Sequence, residues 1–250
     1  MQVIVDSLLV HYERTGSGKT LVILPGWADT TASWKAVAAR LASHYDVVSI
    51  DMPGFGGSQQ PDSAWGLDEY AQFIGRVLEK LELGSIYAVL GHSNGGAVAI
   101  RGTAQGLLNP EKLVLLASAG IRDEGANRKQ LIKSFTKLGK ALTAPLPKRV
   151  RRRLRQRLYT SIGSDYLVAE HMQESFKKVV SADVLDDAAR LRVPTLLLYG
   201  DRDVETPPRF GQRFAALIPN AQYVPIASAG HFLQLDQPEA VIKQIEEFLT

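Results

Sequence analysis

Through its first 120 residues the chain alternates short β-branched apolar runs with longer stretches in which apolar positions recur every three or four residues. The first kind reads as strand and the second as helix. Strands are expected at 20–24, 46–50, 86–90 and 113–117, with a lead hairpin from 3–5 and 8–14, and helices at 31–43, 67–81 and from 94 to about 106. The run Leu113-Val114-Leu115-Leu116 has no polar face, as a strand covered on both sides requires. Strand and helix in turn predict an α/β fold, a mostly parallel central sheet with helices on both faces.

From about residue 120 to residue 190 the strands stop. Leu131, Phe135, Leu138 and Leu142 fall on one helical face, with Lys133, Lys137 and Lys140 on another. Pro145 and Pro147 end that helix, and Val150, Leu154 and Leu158 mark the next. The alternation resumes with strands at 195–199 and 221–225 and helices at about 208–217 and 238–249, where Asp236 and Glu239 around Pro238 read as a cap. The expected organisation is a core of 1–119 and 191–250 interrupted by a helical insertion at 120–190.

Charge sharpens that boundary. The formal net charge is +3, yet residues 121–160 hold thirteen Lys or Arg against Asp123 and Glu124, so the rest of the chain is net acidic. Arg149, Arg151, Arg152, Arg153, Arg155 and Arg157 crowd the second inserted helix. Such a segment is expected to face solvent or an acidic partner. Aromatic residues are sparse near it, Tyr159 and Phe135 being the nearest, which weighs against nucleic acid. The absence of cysteine excludes disulfides, thiolate catalysis and cysteine-bound metals, and fits a reducing, cytoplasmic setting. No signal-peptide pattern opens the sequence and no apolar run reaches eighteen residues, so no transmembrane segment is expected.

Candidate chemistry begins at Gly91-His92-Ser93-Asn94-Gly95-Gly96, where the strand at 86–90 turns at once into a helix. This is G-x-S-x-G in strand-turn-helix context, in which small flanking residues let a nucleophilic serine stand on a sharp turn. A serine hydroxyl is a weak nucleophile without a base, and the base needs a third group to fix its tautomer. With such a turn the partners follow in the order serine, acid, histidine, at the carboxyl ends of later strands. His171 lies inside the insertion, ahead of any strand-end acid, which leaves His231 in Ala229-Gly230-His231-Phe232. The turn Gly200-Asp201-Arg202-Asp203 supplies two candidate acids, Asp201 and Asp203.

Taken together, the serine turn, Gly-x-x-Asp and Gly-His-Phe resemble the α/β-hydrolase family, as do Leu24-Pro25-Gly26-Trp27, Trp34 and the run Asp51-Met52-Pro53-Gly54-Phe55-Gly56-Gly57-Ser58. The resemblance spans nearly the whole chain and constrains the insertion least. It implies a serine hydrolase of carboxylesterase type, with Ser93, Asp203 and His231 as catalytic triad and backbone N–H groups of Trp27 and Asn94 as oxyanion hole. Relatives usually carry His-Gly where this chain has Pro25-Gly26, which keeps the donor amide but alters how that loop is braced. His92 is expected to pack beneath the turn without a chemical role, and Trp34 to be core or cleft wall. The glycines at 54–57 open no helix, no Walker lysine follows a glycine loop, and no paired metal ligands occur, so neither cofactor nor metal is expected.

In the family, helices inserted at this point cap the nucleophile and choose the substrate. Ser93 departs from haloalkane dehalogenases and epoxide hydrolases, which place aspartate there, and a basic cap would repel the ammonium group that proline aminopeptidases hold. The leading expectation is hydrolysis of a carboxylic ester carrying a small or carrier-linked acyl group. Thioester hydrolysis, carbon–carbon hydrolysis of the meta-cleavage type and a hydrolase-fold small-molecule receptor are the alternatives. The Gly-Trp loop and basic insertion are also similar to carboxylesterases that cleave a pimeloyl carrier-protein methyl ester. That likeness implies an acidic acyl carrier protein as a candidate partner beside a small-molecule ester.

Overall fold

The computed structural model describes residues 1–122 and 170–250. Among these, eight strands form one sheet in the order β1-β2-β4-β3-β5-β6-β7-β8. They are β1 Gln2–Val5, β2 Leu8–Gly16, β3 Lys19–Leu24, β4 Tyr45–Ile50, β5 Ile86–His92, β6 Pro110–Leu116, β7 Thr195–Gly200 and β8 Ala221–Ile226. β2 is antiparallel to β1 and β4, and all pairings from β4 to β8 are parallel. Every residue of β5 is buried, Val89 packing to one side of the sheet and Ala88 and Leu90 to the other.

Helices cover both faces. On one side α1 Lys35–Leu41 and the C-terminal helix Pro238–Leu249 bring Val37, Leu41, Val241 and Ile245 onto Leu21, Ile23 and Leu90. On the other lie α2 Leu67–Lys80, α3 Asn94–Ala104, α4 Glu170–Ser181, α5 Leu185–Arg190 and α6 Pro208–Leu217, packed on Val22, Val89 and Leu197. Each fully buried Leu or Ile contributes about 1.5–3 kcal/mol over the exposed state. No helix of the described residues is long and apolar enough to cross a membrane.

Two local expectations change. The helix expected from residue 31 opens as a 3-10 turn, Thr31–Trp34, whose first N–H is taken by the Asp51 carboxylate at 2.7 Å. Asp236 does not cap the last helix: it ends a short helix, α7 Leu233–Asp236, and its carboxylate accepts the Gly230 N–H at 2.7 Å. Gln237 occupies the cap position, and Pro238 starts the final helix, α8.

Gly120 lies in the left-handed region at φ 101°, and its carbonyl accepts the Val184 N–H at 2.8 Å. Arg101 of α3 then ties α5 and α2 together, 2.5 Å from Asp187 and 2.7 Å from Asp68. The stretches at 170–181 and 185–190 are helical. The proposed helical faces at Leu131, Phe135, Leu138 and Leu142 and at Val150, Leu154 and Leu158, their lysines and prolines, and the arginines from Arg149 to Arg157 lie outside the described residues.

Candidate active site

Ser93 stands between β5 and α3 at φ 51° and ψ −116°, a conformation that a side chain adopts only when its surroundings impose it. They do: its N–H bonds the Leu116 carbonyl at 3.0 Å, and its own carbonyl accepts the N–H groups of Ala97 and Ala119 at 3.2 and 2.9 Å. The flanking glycines answer to close packing. A Cβ at Gly91 would lie 2.7 Å from the Gly95 oxygen, and one at Gly95 would lie 2.1 Å from the Leu24 oxygen.

Asp203 follows β7 on a turn closed by its N–H on Gly200 O at 3.2 Å. Its Oδ1 accepts the Glu205 and Thr206 N–H groups at 2.8 and 2.9 Å. Its Oδ2 lies 2.7 Å from the Thr206 hydroxyl and 2.9 Å from His231 Nδ1, and His231 Nε2 lies 2.9 Å from Ser93 Oγ. A carboxylate can only accept, so the ring proton belongs on Nδ1 and the Nε2 lone pair faces the serine hydroxyl. Burial alone would raise the Asp203 carboxyl, but the hydrogen bond and charge of His231 and the two bonds from Thr206 hold it below the usual carboxylate range. Asp201, the other candidate acid, is exposed. The structure thus gathers Ser93, His231 and Asp203 in one buried row.

Above this row is a cavity lined by Trp27, Ser93, Asn94, Phe176, Val179 and Phe210, among others. Asn94 is the first residue of α3, where backbone N–H groups have no partner within the helix. Trp27 packs edge-on against Phe55 and tilted on Phe176, with centroids 4.8 and 5.4 Å away. Sequence reasoning missed three parts of this site. Thr206 braces the acid and lies 3.2 Å from His231 Nδ1, an arrangement foreshadowed only by an Asp-x-x-Thr spacing. Glu205 lines the cavity, and burial, reinforced by Asp203, raises its carboxyl. The apolar wall of Phe176, Val179 and Phe210 comes from separate helices and has no local signal.

Asp203, Glu205 and His231 present ligand atoms within 4.8 Å of one another, so these residues could surround a cation. Asp203 and His231 are already joined by a hydrogen bond of 2.9 Å, with which a metal would compete. The glycine run after β4 closes on its own acid: Asp51 accepts the Gly57 N–H at 2.9 Å and lies 2.8 Å from His11 Nδ1.

His92 lies beneath the serine turn, 1% exposed, with Nε2 2.9 Å from the His231 carbonyl oxygen. Burial, reinforced by the charge of His231, lowers its pKa to about 3, so the ring is neutral with its proton on Nε2. Trp34 is wholly buried and belongs to the core.

The model of the alpha/beta hydrolase family matches residues 21–244. A pimeloyl-[acyl-carrier protein] methyl ester esterase of Nitrosomonas europaea is 28% identical over 252 residues, covering 93% of this chain and 96% of that protein. Among solved structures, a meta-cleavage product hydrolase from Pseudomonas fluorescens superposes with a TM-score of 0.82 at 20% identity, over 99% of this chain and 96% of that one. The enol-lactonase from Burkholderia xenovorans gives 0.82 at 21% identity, over 100% and 99%. These two likenesses establish the shared fold. With its serine turn, its mostly parallel sheet and a family match running almost from end to end, the chain belongs to the alpha/beta hydrolase family.

Proposed function

We propose that this chain is a serine hydrolase that cleaves carboxylic esters through an acyl-enzyme on Ser93. The observation that carries the reading is the continuous row from Ser93 Oγ to His231 Nε2 and from His231 Nδ1 to Asp203 Oδ2, 2.9 Å at each step, beneath an apolar cavity. Ser93 Oγ adds to the ester carbonyl as His231 Nε2 takes its proton, and Asp203 stabilises the imidazolium. The oxyanion is held by the backbone N–H groups of Trp27 and Asn94. The carbon–oxygen bond to the alcohol then breaks, and the alcohol departs with the proton from His231. Water repeats the sequence on the acyl-serine and releases the acid.

Residues 120–190 serve as the cap, and Phe176 and Val179 from its C-terminal part face the cavity with Phe210. This favours an ester with an apolar group against that wall. Likeness to the pimeloyl carrier-protein esterase along almost the full length, together with the basic segment at 121–160, supports a carrier-linked acyl substrate docked through an acidic carrier. The test is a hydrolysis profile of the wild type and Ser93→Ala. It spans acyl esters of graded length and charge, a carrier-linked methyl ester, a thioester and a meta-cleavage product. Ser93-dependent turnover strongest on oxygen esters supports the proposal. A preference for the thioester or carbon–carbon substrate redirects it to that bond, and saturable binding with no turnover marks a receptor.

A further inference from the structure

Behind the serine turn three buried polar atoms converge without a hydrogen-bond partner among the described residues: Asp29 Oδ2, Trp34 Nε1 and His92 Nδ1. Asp29 Oδ2 is 3.8 Å from His92 Nδ1, and the Trp34 ring stands edge-on to the His92 ring with centroids 6.2 Å apart. Burial raises the Asp29 carboxyl, and the Ser33 hydroxyl, the Thr30 N–H and the Trp34 indole, all turned toward it, oppose that rise. A buried polar group left without a hydrogen bond is costly, so three in one place ask for a common partner.

Their hydrogen-bonding capacities fit a single molecule. Trp34 Nε1 can only donate. His92 commits its Nε2 proton to the His231 carbonyl, so Nδ1 can only accept, and so can the Asp29 oxygen while that carboxyl is ionised. A water accepts one bond from the indole and donates two, which makes the three bonds typical of a buried water. Direct pairing is out of reach, because 3.8 Å separates two acceptors.

We propose that Asp29 and His92 are positioning residues that, with one buried water shared with Trp34, tie the loop carrying Trp27 to the loop carrying His231. Asp29 belongs to the first loop: its N–H closes a turn on Gly26 O at 3.2 Å, and its Oδ1 holds the Thr30 N–H at 2.8 Å. Ala28 in that turn sits at φ 59°, a left-handed conformation that must be held from outside, and Pro25 offers no N–H for the purpose. The loop also presses on the ring, since a Cβ at Gly26 would lie 2.9 Å from His92 Nδ1 and 3.1 Å from Ser93 Cβ. At its far side His92 holds the His231 backbone. One imidazole therefore sets the spacing of oxyanion donor, nucleophile and base, an inference that rests on the roles given to them above.

The test compares Asp29→Leu and Asp29→Asn with the wild type. A high-resolution crystal structure of the wild type is expected to show one ordered water within hydrogen-bond distance of all three atoms. Displacing a catalytic group by about 1 Å costs on the order of 10²-fold. D29L is therefore expected to lose kcat by about 10- to 100-fold with KM nearly constant. D29N, whose amide oxygen can accept from the same water, is expected to recover most of that loss. Without reference to turnover, D29L should shift the backbone amide resonances of both Trp27 and His231. An unpartnered or directly protonated cluster in the crystal, equal kcat losses in D29L and D29N, or an unmoved His231 amide overturns the proposal. Should D29L not fold, the wild-type crystal and D29N decide it. A wild type that hydrolyses no ester overturns the serine-esterase reading instead, while the crystal and resonance measurements still judge the tie.

Discussion

Asp201 and Asp203, two positions apart on one turn, carry their carboxylates into opposite settings: Asp201 is exposed, whereas Asp203 is 4% exposed and 2.9 Å from His231 Nδ1. Only the second can fix the imidazole tautomer. Asp203→Asn is expected to lower kcat by about three to four decades, because an amide at that place favours the wrong ring tautomer. Asp201→Asn should stay within about twofold of the wild type. Steady-state rates on one ester decide it, and comparable losses in the two variants would reject Asp203 as the orienting acid.

Ser93→Ala is expected to abolish ester hydrolysis, with a loss on the order of four to six decades, and to leave the fold intact. The side chain supplies a hydroxyl to His231 Nε2 and little packing, while the strained backbone is held by bonds to Leu116, Ala97 and Ala119 that alanine keeps. A phosphonate ester should label the wild type at Ser93. Labelling at another serine, or residual turnover above a hundredth of the wild type, defeats the assignment.

The serine turn was legible because its constraints are local. Gly91 and Gly95 must be small where the backbone of α3 meets β5 and the end of β3, and the requirement is written within five residues. The strands were legible for a similar reason, since β5 is buried along its whole length and β6 ends in the apolar run Leu113-Val114-Leu115-Leu116. What escaped depends on partners distant in sequence. Asp236 beside Pro238 looks like a helix cap until Gly230 takes its carboxylate, and Thr31 looks like ordinary helix until Asp51 holds its N–H. Phe176, Phe210 and Glu205 reach one cavity from three separate segments. His92 drew no role from sequence because the groups on either side of its ring, Asp29 and the His231 carbonyl, come from other loops.

His92 should also impose an acid limit on stability. Its folded pKa of about 3 lies below the ordinary histidine value of 6.5, so between those values the unfolded chain binds a proton that the folded ring refuses. The resulting loss is absent above pH 6.5 and grows as pH falls, by about 1.4 kcal/mol per pH unit until the folded ring itself titrates. Asp203, held below its ordinary value, acts in a lower window: its stabilisation is full above the unfolded carboxylate value near 4 and is lost beneath it. Urea midpoints at pH 7 and pH 5 should therefore fall less steeply for His92→Gln, which retains a donor toward the His231 carbonyl, than for the wild type. Equal slopes would mean that His92 titrates normally in the fold.

The basic segment gives opposite answers to one measurement, depending on whether it meets solvent or an acidic carrier. Thirteen Lys or Arg lie within residues 121–160 of a chain whose remainder is net acidic, so this field has a single sign. Attraction between exposed charges is screened beyond about 8–10 Å near physiological ionic strength. If a carrier docks there, kcat/KM for a carrier-linked ester should fall steeply as salt rises, because electrostatic complementarity acts mainly on encounter. A neutral short-chain ester, which reaches Ser93 without that encounter, should change little. Replacing Arg151, Arg152 and Arg155 together by glutamate should lower kcat/KM for the carrier-linked ester by at least about tenfold and spare the neutral one. The neutral ester also guards the comparison, since a variant that simply misfolds loses both substrates. Equal responses of the two substrates to salt and to the triple reversal would leave those arginines as a solvated surface and remove the carrier from the proposal.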